Sequence, residues 1–269
     1  MTGPRLPLLD GRTIPQLGFG LWEVPPDDAA RVVEQGLAAG YRLVDGAAAY
    51  RNEAGLGEGV RASGLQRGEV FVTTKLWNDR HRDARRAVGE SLERTRLDRL
   101  DLVLIHWPSP RTGDFLEAWR SLIAWREEGT VTSIGVSNFD AAQIDRLTAE
   151  TGVTPVLNQI ELHPRLQQAP LRAAHAERGV ITQSWTPLGQ RRSFEAVSPI
   201  AERLGRTPAQ VILRWHVELG CSVIPRSTRE EGLRENLALW DFALTPEDHA
   251  LIAGLEAGER TGPDPATFG

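Results

Sequence analysis

Four side chains that could do chemistry together stand at or just after the ends of three successive apolar runs. Leu43-Val44-Asp45 ends in a carboxylate, and the phenol of Tyr50 follows after Gly46 and three alanines. Val70-Phe-Val-Thr-Thr-Lys75 ends in an ammonium group and Asp101-Leu-Val-Leu-Ile-His106 in an imidazole. A phenol is a poor acid at neutral pH, with an ordinary pKa of about 10. An adjacent ammonium favours the phenolate, so Lys75 is expected to lower the pKa of Tyr50, with Asp45 pairing to Lys75 and fixing it. A drop of roughly three units corresponds to roughly 4 kcal/mol, and it would make Tyr50 a usable proton donor to a carbonyl oxygen. A neutral His106 can donate a hydrogen bond to the same oxygen and orient it. Together these groups polarise a C=O bond for attack by hydride. Taken singly, each residue has a plainer explanation: a helix cap for Asp45, packing for Tyr50, a solvated strand end for Lys75, a satisfied buried ring for His106. Their recurrence at three consecutive strand ends favours the chemical one.

For the four to meet, the strands must run parallel with their C-terminal ends on one face, as in a closed α/β barrel. Gly18-Phe-Gly-Leu21 reads as the first strand, and Pro25-Pro-Asp-Asp28 starts a helix running to about Ala39. Further strands are predicted near 42–45, 70–75, 101–106, 131–136, 155–159, 180–184 and 221–224. Helices are predicted near 52–63, 81–95, 113–128, 140–150, 167–178, 207–219 and 229–237. Alternating β and α units with short connections imply a parallel sheet, and eight units imply closure. Asp10-Gly11 between short apolar runs signals a hairpin, placed as a plug at the N-terminal end of the barrel. Thr207-Pro208-Ala-Gln210 and Thr245-Pro246-Glu-Asp248 carry capping signals. The predicted fold is a (β/α)8 TIM barrel with an N-terminal β-hairpin and two extra helices, near 193–204 and 246–255, in one domain over residues 1–269.

The segments around the four residues resemble the aldo-keto reductase family, whose catalytic tetrad is Asp, Tyr, Lys and His. The resemblance extends to Gly18-Phe-Gly-Leu-Trp22, Gly135-Val-Ser-Asn-Phe139, Asn158-Gln-Ile-Glu-Leu-His-Pro164, Trp185-Thr-Pro-Leu-Gly189 and Ile224-Pro-Arg-Ser227. The closing Gly262-Pro-Asp-Pro-Ala-Thr-Phe268 is similar to that of shorter-tailed bacterial members, among them the diketogluconate-reductase type. The resemblance implies catalytic roles for Tyr50, Lys75, Asp45 and His106, and a substrate pocket lined by Trp22, Trp77, His106, Trp107 and the tail near 263–268.

Hydride transfer needs a hydride source. No Gly-x-Gly-x-x-Gly follows a strand, and Gly55-Leu-Gly-Glu-Gly59 lies inside a predicted helix, so a Rossmann site is unsupported. Barrels bind anions in the loops after strands seven and eight. There the chain reads Arg226-Ser227-Thr228-Arg229, and Thr228 with Glu231 is read as a capping box whose helix amides face the loop. The resemblance makes this the site of the 2′-phosphate of NADPH, with NADH also possible. Relatives usually carry lysine at Arg226 and arginine at Gly232, so one cation is missing here. By resemblance, Ser137, Asn138 and Gln159 hold the nicotinamide carboxamide and Trp185 stacks on the ring. Gly20, Leu21, Trp22, Pro187, Leu188, Gly189, Gln190 and Ile224 line the groove, and Glu235 and Asn236 contact adenine. Two departures are notable. Arg191-Arg192 add positive charge to the loop, and Gly46 stands where threonine is usual and is expected to loosen the loop carrying Tyr50 modestly.

Composition sets the remaining bounds. Hydrophobic residues make up 41% of the chain and charged ones 25%, which supports a buried core. A formal charge of −5 gives no reason to expect nucleic acid. One cysteine, Cys221, rules out an internal disulfide. No signal peptide or membrane-length apolar run is evident, so a cytoplasmic monomer is expected; the short tail is expected to leave an open pocket for a small-molecule carbonyl, polar or sugar-derived, diketogluconate-like by the resemblance. The six histidines show no metal-ligand spacing, and His163 is read as structural. A non-catalytic nicotinamide-binding regulatory subunit is the alternative. A barrel hydrolase or isomerase would need a second acid beside Asp45.

Overall fold

A computed structural model describes residues 3–112 and 114–269. Two short antiparallel strands, β1 (Arg5–Pro7) and β2 (Thr13–Pro15), form the predicted hairpin, with Gly11 at φ 82° in its turn. The hairpin closes the N-terminal end of the barrel. Leu8 and Ile14 join the apolar cluster of Leu43, Phe71, Leu102, Leu104 and Leu157, and Asp10 accepts a 2.7 Å bond from Ser133 Oγ.

Eight parallel strands follow: β3 (Phe19–Gly20), β4 (Leu43–Asp45), β5 (Phe71–Leu76), β6 (Leu100–Ile105), β7 (Val131–Ser137), β8 (Leu157–Glu161), β9 (Ile181–Trp185) and β10 (Ser222–Val223). Neighbours in sequence are neighbours in the sheet, from β3 to β10. A parallel bridge between Leu17 and Val223, with Gly18 N donating to Val223 O at 2.9 Å, joins the two edges into a barrel. Among the described residues, closure leaves the eight-stranded sheet without a free edge strand.

The helices are α1 (Pro26–Ala39), α2 (Glu53–Ala62), α3 (Ala84–Thr95), α4 (Phe115–Glu127), α5 (Ala141–Thr151), α6 (Ala169–Glu177), α7 (Phe194–Leu204), α8 (Pro208–Glu218), α9 (Glu230–Leu237) and α10 (Pro246–Ala253). The two extra helices are α7 and α10. They bury Val197, Ile200 and Ile252 against Val211, Ile212 and Trp215 of α8. The capping boxes at Thr207 with Gln210 and Thr245 with Asp248 both form. The glycines of α2 serve contact rather than phosphate binding. A methyl group on Gly57 would stand 1.8 Å from Thr95 O, and one on Gly59 2.5 Å from Ala30 O, so α2 packs backbone to backbone against its neighbours.

Candidate active site

The ends of β4, β5 and β6 bring the four predicted residues together at the C-terminal mouth. Lys75 Nζ, its side chain fully buried, donates to Asp45 Oδ2 at 2.5 Å, to Gly46 O at 2.8 Å and to Tyr50 Oη at 3.2 Å. Because the ammonium donates to the phenol oxygen, the phenol hydrogen is left for another acceptor. Tyr50 ends a 3-10 turn, Ala48–Tyr50, and Arg51 after it lies in the left-handed region at φ 58°. Asn52 holds that turn to the first βα loop by donating to Leu21 O and Val24 O, both at 2.9 Å. The loop at Gly46, expected to be loosened, is hydrogen-bonded and closely packed here. The Gly46 carbonyl is one of the three acceptors of Lys75, and a Cβ there would meet Leu56 Cδ1 at 2.6 Å.

The electrostatics differ from expectation in one respect. Burial raises the phenol of Tyr50 above its ordinary value, and the attraction of Lys75 only partly offsets that. The expected net lowering is therefore corrected: desolvation outweighs the ammonium, and Tyr50 stands as a protonated phenol. Burial disfavours the ammonium of Lys75, but Asp45 and Tyr50 together hold it above the usual lysine range. Burial raises Asp45, opposed by Lys75 and by Gln159. Both carboxylate oxygens accept, Oδ1 from Gln159 Nε2 at 2.8 Å. His106 is held well below the usual histidine range by burial and by the charge of Lys75, so it is neutral. Its Nδ1 is buried without a hydrogen-bond partner among the described residues. A ring hydrogen on Nε2 therefore orphans only a lone pair, and Nε2–H is the donor the neutral ring can offer.

Aromatic rings surround this cluster. Trp22, 55% exposed, meets Tyr50 edge-on with ring centroids 5.1 Å apart. Trp77 lies 5.0 Å from His106, and Trp107 lies 4.7 Å from Phe268 of the tail and 6.3 Å from Trp185. The four residues expected around the substrate thus share one apolar wall with Phe268.

The carboxamide candidates lie on the adjoining side of the mouth. Ser137 Oγ donates to Gln159 O at 2.8 Å, and Asn138 Nδ2 donates to His106 O and Ser137 Oγ, both at 3.0 Å. Trp185 Nε1 donates to Asn138 Oδ1 at 2.9 Å, which fixes the indole at the mouth. Gln159 spends its amide nitrogen on Asp45 and Gln183, so what it can still offer is its carbonyl oxygen, an acceptor. Gln183 passes the chain on to Ser222 Oγ at 2.9 Å. Gln183 and Ser222 escaped sequence reasoning, although the polar run Thr182-Gln183-Ser184 in β9 and Ser222 in β10 could have signalled polar groups inside the barrel. Glu53 also escaped it. Its carboxylate is buried and accepts from Thr74 Oγ1 at 2.5 Å and Arg94 Nε at 2.7 Å.

Gly20, Leu21 and Ile224 are buried where β3 meets β10, with Gly20 N bonded to Pro225 O at 3.1 Å. Pro187, Leu188, Gly189 and Gln190 follow β9, and Thr186, Gly189 and Gln190 all have positive φ. The loop after β10 differs from expectation. Thr228 and Glu231 form no capping box: α9 starts one residue later, after Arg229, and no side chain caps it. Ser227 Oγ instead accepts from Arg229 N and donates to Arg229 O. Arg226 pairs with Glu23 of the adjoining loop after β3, Nη1 to Oε2 at 2.8 Å. Arg229 makes no ion pair among the described residues. Arg192 faces the tail, 3.9 Å from Glu259, so its charge is partly engaged there. Glu235 accepts from Thr207 Oγ1 at 2.6 Å, and Asn236 beside it is buried. Two arginines and a serine at one end of the groove suit a phosphate, and buried amides with an indole at the other suit a flat amide-bearing ring. That donor set fits a nicotinamide dinucleotide. Among the described residues no cluster could hold a metal ion, and no helix is long and apolar enough to cross a membrane.

A closed parallel barrel carrying this cluster at its C-terminal mouth defines the class, and the chain belongs to the aldo/keto reductase family, whose model matches residues 16–257. It is 45% identical over 266 residues to the methylglyoxal reductase DkgA of Salmonella typhimurium, covering 97% of each chain. It is 46% identical over 269 residues to an aldo-keto reductase of Mycolicibacterium smegmatis, covering 98% of each. Among solved structures it is similar to a variant of Gox0644 in complex with NADPH, at 43% identity and TM-score 0.95 over 100% of both chains. It is also similar to a Bombyx mori aldo-keto reductase in complex with NADP, at 35% identity and TM-score 0.90 over 97% of this chain and 95% of that one.

Proposed function

We propose that the protein is an NADPH-dependent carbonyl reductase acting on small aldehydes and ketones, with Tyr50 as the proton donor. Family membership makes it an NADP-dependent oxidoreductase. The observation that carries the proton-donor assignment is the 3.2 Å contact in which Lys75 donates to Tyr50 Oη, leaving the phenol hydrogen for a substrate oxygen. Two solved relatives hold NADPH or NADP, which supports the same cofactor here. Relatives named as methylglyoxal reductases support a small dicarbonyl among the substrates.

When bound, the dinucleotide would supply the hydride that reduces the carbonyl carbon. Tyr50 Oη–H and neutral His106 bind the carbonyl oxygen from two sides and draw charge onto it. As negative charge grows on that oxygen, the phenol gives up its proton, and Lys75 stabilises the phenolate that remains. Burial holds Tyr50 protonated until then. Asp45, pinned by Gln159, keeps the ammonium of Lys75 aimed at the phenol. Trp22, Trp77 and Trp107 exclude water around the reacting carbon and favour an apolar flank beside the carbonyl. Ser137, Asn138 and Gln159 would hold the carboxamide, with Trp185 against the ring. Gly20, Leu21, Pro187 to Gln190 and Ile224 would line the groove, Arg226 to Arg229 would bind the 2′-phosphate, and Glu235 and Asn236 would reach the adenine. NADH is bound more weakly on this reading.

The test is Tyr50→Phe. The variant is expected to lose nearly all reduction of methylglyoxal while binding NADPH as the wild type does. Retention of wild-type kcat would remove Tyr50 from the proton-donor role. A regulatory, non-catalytic protein would show no turnover with any aldehyde.

A further inference from the structure

The geometry points to Glu161 as a positioning residue that latches the C-terminal segment into place as one wall of the substrate pocket. This rests on the carbonyl-reductase reading of the mouth. Glu161 is the last residue of β8, and its side chain has no exposed area. A buried carboxylate is retained only where donors surround it. His163 is one partner, at 3.2 Å. The others come from the tail. Thr261 donates its backbone N–H at 2.5 Å and its hydroxyl at 2.6 Å, Gly262 N lies 3.3 Å from both oxygens, and Arg260 adds its charge at 3.8 Å.

The segment held by this carboxylate touches both halves of the site. A Cβ on Gly262 would stand 2.5 Å from the ring of Trp185, so the tail backbone lies directly on that indole. Beyond it, Thr267 N and Phe268 N bond back to Asp264 O at 3.1 and 2.9 Å, which compacts the last turn. This delivers Phe268 to Trp107 and Trp77. The far end is held by Arg111, whose Nε donates to Gly269 O at 2.7 Å in an exposed contact. Arg165 pairs with Glu259 through two bonds, at 2.8 and 2.6 Å, just before the latch. Glu161 is the innermost of these anchors and the buried one. It touches neither Tyr50, Lys75 nor His106, so it acts through the tail.

The experiment uses the full chain with Glu161→Gln, with Thr261→Val, and with a stop codon in place of Thr261, alone and combined with Glu161→Gln. Hydrogen exchange in residues 261–269 is expected to speed up in Glu161→Gln. KM for 4-nitrobenzaldehyde, whose ring would lie against the wall on this reading, is expected to rise about tenfold, with kcat within about twofold and the Kd for NADPH unchanged. Thr261→Val removes one donor to the carboxylate and leaves Glu161 itself in place, and about a threefold rise in KM is expected. It decides the matter should Glu161→Gln fail to fold. In the shortened chain, where no tail is left to latch, Glu161→Gln should have little further effect on KM. Unchanged exchange in the tail overturns the inference, as does a KM penalty that persists in full in the shortened chain. The exchange measurement needs no turnover, so it tests the latch even if the reductase reading fails through Tyr50→Phe.

Discussion

Arg226 and Glu23 set a quantitative expectation for cofactor choice. Their ion pair is 2.8 Å long, but the side chains are 45% and 59% exposed. A pair so exposed is worth roughly 0.2–1 kcal/mol. A charge-assisted contact from the same guanidinium to a phosphate is worth roughly 1.5–3 kcal/mol. On the proposed reading the 2′-phosphate is expected to displace Glu23 with a net gain of about 1–2 kcal/mol, which predicts a preference for NADPH over NADH of about 5- to 30-fold. Arg226→Ala should remove most of that preference by weakening NADPH alone, with Arg229 and Ser227 left to hold the remainder. Glu23→Gln frees the guanidinium and removes a nearby negative charge, so NADPH should tighten by up to about fivefold while NADH stays unchanged. Both effects should shrink as salt rises, because exposed charges are screened. Gly232→Arg is a weaker remedy than its relatives suggest: a Cβ there would meet Ser227 Oγ at 2.5 Å, so the hydroxyl must leave its bonds to Arg229. The assay is Kd for both cofactors from quenching of tryptophan fluorescence, with Trp185 as reporter. Equal losses for the two cofactors in Arg226→Ala would show that Arg226 does not read the phosphate, and the competition with Glu23 would fall with it.

Other consequences follow from buried charge and close packing. Lys75→Met should reduce kcat by roughly a hundredfold or more and destabilise the fold by roughly 3–5 kcal/mol, because Asp45 is left as an unpaired buried carboxylate. Adding Asp45→Asn should recover much of the stability in a urea melt but none of the rate; recovery of both would mean Lys75 serves the fold only. Burial holds His81 and His175 down to about 4 and His216 down to about 3. His106 is likewise held well below the usual range, so all four folded values lie below the unfolded value of about 6.5, and well below that pH the unfolded chain binds about four more protons. Stability should then fall by roughly 5 kcal/mol per pH unit between about pH 6 and pH 4.5, and a flat urea midpoint over that range would contradict it. Gly57→Ala, whose methyl would meet Thr95 O, should cost roughly 1–3 kcal/mol by thermal melt, whereas Gly129→Ala meets no such neighbour and is strained only by its φ of 81°.

The sequence by itself determined where the chemistry stands. A carboxylate, an ammonium and an imidazole each end an apolar strand, and parallel strands of one barrel must present those ends on one face. Strand and helix positions were legible for the same local reason, since the period of apolar residues and the Thr-Pro caps are properties of short segments. The helix after β10 starts one residue later than its capping pattern suggests because Ser227 takes up the backbone of Arg229, a competition among neighbours that a capping pattern cannot rank. Only the tertiary structure decided the direction of the Tyr50 pKa. Local chemistry supplies the lysine, but the size of the desolvation that overrides it depends on everything packed around the phenol. The same holds for the partners of Gln159, for the pairing of Arg226 with Glu23, 203 residues apart, and for the hold of Glu161 on Thr261, 100 residues away. Those contacts join segments that meet only when the barrel closes and the tail folds back across it, and no periodicity within a segment encodes which distant side chain will complete a buried charge.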